Sequence, residues 1–115
     1  MMRSESGKVR FESGKEMLSA LHEGTDLYSP SRNTYVFIYN EKGSIAVYTS
    51  ITQEIADDLR SQEGYWGGNL GPGGNIYDSE EYFEERFPGE PLPFDTAETW
   101  CDQVFNYPDW EDVTQ

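Results

Sequence analysis

Cysteine is almost missing from this chain. Cys101 stands alone, so neither an intrachain disulfide nor a multi-cysteine metal site can form. Long apolar runs are missing too: none approaches the ~20 residues of a membrane span, and the opening Met1-Met2-Arg3-Ser4-Glu5 lacks the apolar stretch of a signal peptide. Together these absences predict a soluble, cytoplasmic protein in a reducing compartment. Basic residues are scarce in one half only. Residues 1–53 carry six acids balanced by six bases, whereas residues 54–115 carry sixteen acids against Arg60 and Arg86, so the whole formal charge of −14 lies in the second half. So few cations exclude direct nucleic-acid binding, whose affinity comes largely from Lys and Arg neutralising phosphates. A field of one sign also repels anionic membranes and steers a basic partner inward.

What is present is aromatic. Only 36% of residues are hydrophobic but 15% are Phe, Trp or Tyr, and each such ring buries roughly 150–250 Å². A compact core is therefore within reach of a 115-residue chain, and the length predicts one domain, with a charge-neutral half over 1–53 and an acidic half over 54–115.

Val9 and Phe11 alternate with Arg10 as an edge strand would. Ser13 with Glu16 is a capping box, and Met17, Leu18, Ala20 and Leu21 give an apolar face, predicting a helix over 14–23 closed by Gly24. Residues 26–33, with Ser29-Pro30-Ser31, read as a turn-rich connection. Thr34 to Tyr39 and Ser44 to Thr49 are the strongest strands, joined by Asn40-Glu41-Lys42-Gly43 as a tight hairpin. Val36 and Ile38 share one face while Tyr35, Phe37 and Tyr39 share the other, which places this hairpin at the sheet centre. A second box, Ser50 with Gln53, predicts a helix over 51–62. Tyr65-Trp66 is expected to pair with Asn75-Ile76-Tyr77 across a glycine-rich turn at 67–75.

After the turn, Asp78 or Ser79 caps a short helix bearing Glu80, Glu81, Glu84 and Glu85, with Phe83 and Phe87 as its buried side and Pro88-Gly89 as its stop. Asp95 with Glu98 is a third box, for a helix over 96–106 whose inner face is Trp100, Cys101, Val104 and Phe105. The tail can end in a short strand through Trp110 to Val113. The expected class is α+β, a small antiparallel sheet built on a central hairpin and packed by three to four short helices.

No constellation in the sequence names a reaction. The glycine-rich segment is followed by acids rather than by Lys-Ser or Lys-Thr, so it reads as a turn and not a phosphate cradle. The acids do not have the twelve-residue ligand spacing of a calcium loop, and His22 and Cys101 lie on a helix end and an apolar helix face. No catalytic residue, cofactor or metal is therefore expected. The charge itself asks for a reason, because solubility needs a magnitude of only about 2–8 in a small domain. The expected contact surface is Asp78, Glu80, Glu81, Glu84 and Glu85 with Asp109, Glu111 and Asp112, interleaved with Tyr82 and Trp110 as platforms for Arg and Lys.

In that composition, carried by Ser79-Glu80-Glu81-Tyr82-Phe83-Glu84-Glu85 and Asp109-Trp110-Glu111-Asp112, the chain resembles the acidic accessory proteins of phages and mobile elements that mimic DNA, the anti-CRISPR and anti-restriction inhibitors. The resemblance is one of surface style over 54–115 and matches no motif residue by residue. It implies a non-enzymatic inhibitor that blocks the cationic groove of a basic partner, a nuclease or other nucleic-acid-binding effector, without touching nucleic acid or membrane itself. A monomer is expected, since faces this acidic repel one another. The alternatives from residues alone are an immunity protein or antitoxin against a basic toxin, and a small metal-binding or enzymatic module.

Overall fold

A computed structural model of the protein describes residues 2–3, 8–49, 74–92 and 96–114. The expected helix over 51–62, the Tyr65-Trp66 strand and most of the glycine-rich turn lie outside the described residues.

The hairpin forms as its alternation predicts. Strand β4 (Thr34–Ile38) pairs antiparallel with β5 (Ile45–Tyr48), with Tyr35 opposite Tyr48 and Ile38 opposite Ile45. Gly43 takes φ +89, and Asn40 Oδ1 accepts from the amides of Lys42 (3.0 Å) and Ser44 (3.1 Å), an Asx turn that closes the loop. On one side β5 pairs with β6 (Gly74–Tyr77), on the other β4 pairs with β3 (Leu27–Ser29), and β3 with β7 (Glu111–Asp112). The result is a five-stranded antiparallel sheet in the order β6-β5-β4-β3-β7. A separate two-stranded ribbon joins β1 (Met2–Arg3) to β2 (Val9–Arg10), and the Val9 amide donates to the Trp110 carbonyl at 2.8 Å.

One point differs from the sequence expectation. Leu27–Ser29 is a strand rather than a loop, because Leu27 fills the core while Tyr28 faces the opposite side. Residues 74–77 form a strand as expected and join the central sheet against β5.

Both faces of the sheet are buried. Leu27, Val36, Ile45 and Val47 meet helix α1 (Gly14–His22) and helix α3 (Ala97–Val104) in a core with Met17, Leu21, Cys101 and Trp110. The other face is aromatic, with Tyr28, Tyr35, Phe37 and Tyr48 around Ala46. Ser13 Oγ caps α1 by accepting from the Glu16 amide at 3.1 Å, and Gly24 ends the helix at φ +99. The cap of α3 falls on Thr96, which accepts from the Thr99 amide at 3.3 Å, one residue later than the expected Asp95. Gly14 lets α1 approach α3 closely, since a Cβ there would lie 2.5 Å from the Asp102 amide nitrogen and 2.6 Å from its Cα. Among the described residues there are three α-helices and one 3-10 turn, Pro30–Arg32, so the architecture is α+β.

Candidate functional site

The acidic segment forms helix α2 (Glu80–Arg86), capped by Ser79, whose Oγ accepts from the Tyr82 amide at 3.1 Å. Its root is held tightly. The Ser79 amide donates to Ser44 Oγ at 3.3 Å, and the Asp78 carbonyl accepts from the Ala97 amide at 2.9 Å, tying the start of α2 to β5 and α3. Beyond the root the helix buries nothing. Phe83 is half-buried and Phe87 is 41% exposed, so the expected apolar inner side is not an inner side. The two rings pack against each other at a tilt, with centroids 4.9 Å apart.

One flank of α2 is internally neutralised. Lys42 Nζ meets Glu85 Oε2 at 2.5 Å and sits 5.0 Å over the Tyr82 ring. Arg86 meets Asp78 Oδ2 at 2.7 Å and lies 5.3 Å over Tyr82 and 4.9 Å over Phe87. Asp78, Tyr82 and Glu85 are therefore already engaged with cations of the chain itself. Glu80, Glu81 and Glu84 are exposed, and among the described residues no Lys or Arg pairs with them. The Glu80 carboxyl is pushed above its ordinary value, chiefly by its hydrogen bond with Glu98 on α3, and further by desolvation and by the charges of Glu98 and Glu84.

The tail acids do other work. Asp109 accepts from Ser29 Oγ at 2.6 Å and from the Ser31 amide at 2.7 Å, so it caps the 3-10 turn. Partial desolvation alone would raise its carboxyl, but these hydrogen bonds outweigh that and hold it below the ordinary value. Asp112 accepts from the Thr114 hydroxyl and amide at 2.6 and 3.0 Å, and Glu111 pairs in β7 with Tyr28 of β3. Trp110 is a correction: it is fully buried, its indole donating to the Val104 carbonyl at 2.9 Å and its ring stacked on Tyr107, and it cannot form part of a contact surface. An indole is large enough to be drawn inward even between acidic neighbours.

Strand order also separates the two acidic groups. α2 leaves from β6 and the tail acids lie on or beside β7, the opposite ends of the five-stranded order. Four strand spacings amount to about 19 Å. Among the described residues the α2 acids and the tail acids are thus set apart, and the segregation of charge along the chain gave no signal of it, because strand order is a long-range property.

The remaining reactive side chains are quiet. Burial pushes the Cys101 thiol up to about 12, helped by Asp102 and Glu98, so it stays protonated. His22 Nε2 lies 3.2 Å from the Gly43 carbonyl, pinning α1 to the hairpin turn. Among the described residues no group of three or more His, Cys, Asp or Glu is placed to hold a metal ion, and no helix is long and apolar enough to cross a membrane. Compared with known protein families, curated proteins and solved structures, the chain matches none.

Proposed function

We propose that this is a binding protein that inhibits a basic, nucleic-acid-handling partner by occupying its cationic groove stoichiometrically, with α2 as the contact. The observation that carries the reading is the exposure of Glu80, Glu81 and Glu84 on a firmly rooted helix, unpaired by any described cation, within a half of the chain that bears all of the net charge. Carboxylates four residues apart are spaced about 6 Å along a helix axis. A groove lined with Arg and Lys for phosphates meets equivalent anions here, and such association is fast and salt-sensitive. Folding does not favour this pattern: Glu80 with Glu84 and Glu81 with Glu85 are like-charge pairs at i,i+4, each opposing the helix by about 0.2–0.5 kcal/mol. The contact is narrower than the sequence suggests, since Trp110 is internal and Asp109 is committed to a turn.

The test compares proteins captured from host lysate by the full chain and by a variant with Glu80, Glu81 and Glu84 all changed to Lys, checked for an unaltered near-UV circular dichroism spectrum. Capture of a nucleic-acid-binding protein by the natural chain alone, followed by release of labelled DNA or RNA from that protein at one-to-one addition, is the expected result. Equal capture by both chains, or nucleic acid that stays bound at excess, overturns the reading.

A further inference from the structure

Helix α2 presents two different sides. Tyr82, Glu85 and Arg86 are tied to Lys42 and Asp78. Glu80, Phe83, Glu84 and Phe87 recur at i, i+3, i+4 and i+7, which sets two carboxylates and two phenyl rings along one stripe. The chain leaves the helix past Leu92, which is 38% exposed; Leu92 and Phe87 are the large apolar side chains most open to solvent among the described residues. A surface that served only to repel or to solubilise would not place its most exposed phenyl group one helical turn from the exposed Glu84 carboxylate, which no described cation neutralises.

The chain also displays what such a surface accepts. Arg86 lays its guanidinium over Phe87 at 4.9 Å while its nitrogen reaches a carboxylate oxygen of Asp78 at 2.7 Å. A ring face beside a carboxylate is thus already a guanidinium site within this molecule. Glu84 and Phe87, three residues apart and both exposed, repeat that pairing of groups. We infer that the stripe of Glu80, Phe83, Glu84 and Phe87, extended by Leu92, docks a partner segment in which arginine alternates with apolar side chains, the guanidinium groups meeting the two glutamates and the apolar groups covering Phe87 and Leu92. This rests on the reading of α2 as the contact with a basic partner and adds what that partner presents: arginine with apolar neighbours, rather than positive charge alone.

Two fluorescent peptides of equal length and charge separate the ideas, one alternating Arg with Leu and one alternating Arg with Gly. Titrated against the full chain near physiological salt, the Arg-Leu peptide is expected to bind about tenfold more tightly. Its amide chemical-shift changes in the isotope-labelled protein should centre on residues 80–92. Phe87→Ser, at a site outside the core, should weaken Arg-Leu binding more than Arg-Gly binding and so shrink the difference between the peptides, and Glu84→Gln should weaken both alike. Equal affinities, or shifts spread over the tail acids as much as α2, overturn the apolar component and leave the electrostatic reading standing. Failure of both peptides to bind overturns the two together.

Discussion

Asp109 reads in the sequence as surplus surface charge, and in the fold it holds backbone. Its carboxylate accepts from Ser29 Oγ and the Ser31 amide and so fixes the turn that leads into β4. Because folding lowers its pKa, the stabilisation it gives is present above the unfolded value, about 3.9, and is lost as pH falls through the folded value. Asp109→Asn is therefore expected to destabilise the protein by about 1 kcal/mol near neutral pH, below the roughly 1.5–3 kcal/mol of a hydrogen bond to a charged group because the site is part-exposed. Urea melts at neutral pH and at about pH 3 check this: the gap between variant and natural chain should narrow in acid, and a constant gap would mean that charge is irrelevant there. Gly43 makes a second residue-scale case. It combines φ +89 with His22 Nε2 at 2.9 Å from the position a Cβ would take. Gly43→Ala is expected to lose about 1–2 kcal/mol through backbone strain, with more if His22 cannot move. Thermal melts read this directly, and an unchanged midpoint would show that the turn is free to rearrange.

At the scale of elements, what was legible in the sequence was whatever two or three neighbouring residues decide. Ser13, Gly24 and the division of Val36 and Ile38 from Tyr35, Phe37 and Tyr39 are local signals, and the fold follows each of them. Leu27–Ser29 escaped because three residues before a proline carry too little alternation to register as a strand; its partners β4 and β7 create it. For the candidate site, the helix and its serine cap were legible, whereas the half-burial of Phe83 and the exposure of Phe87 were not, since spacing of apolar residues says which ones share a side and not whether anything lies against it. This division within α2 leads to a prediction about its stability. The helix buries no residue of its own and is anchored through Ser79 and Ser44. Ser79→Ala should remove a cap worth about 1 kcal/mol and act locally. Hydrogen exchange at residues 82–86 should quicken severalfold while β4 and β5 amides remain as slow as before. Uniform acceleration across the sheet would instead place α2 inside the cooperative core.

Across the whole molecule, the decisive quantity is the ratio between the separation of the two acidic groups and the screening length. α2 and the tail acids sit at opposite ends of the strand order, about 19 Å apart by strand spacing. The Debye length is about 8 Å at 0.15 M ionic strength and about 30 Å at 0.01 M. Near physiological salt the two groups therefore act as separate fields, while in dilute buffer they merge into one. Glu111→Gln removes a half-buried charge at the β7 end, where the backbone of Glu111 lies between Tyr28 of β3 and Lys8 and its side chain caps no turn. Its effect on binding of a cationic peptide at α2 should accordingly be small at the higher ionic strength, within about twofold, and should grow to severalfold at the lower one, where attraction is long-ranged. Fluorescence titrations at the two salt concentrations measure both values on the same protein. A loss of affinity at 0.15 M as large as that from Glu84→Gln would mean that the partner spans both ends of the sheet, and the contact would then have to be redrawn to include the tail. A small effect at both ionic strengths would mean that contacts within α2 alone, rather than the field of the whole acidic half, govern the encounter.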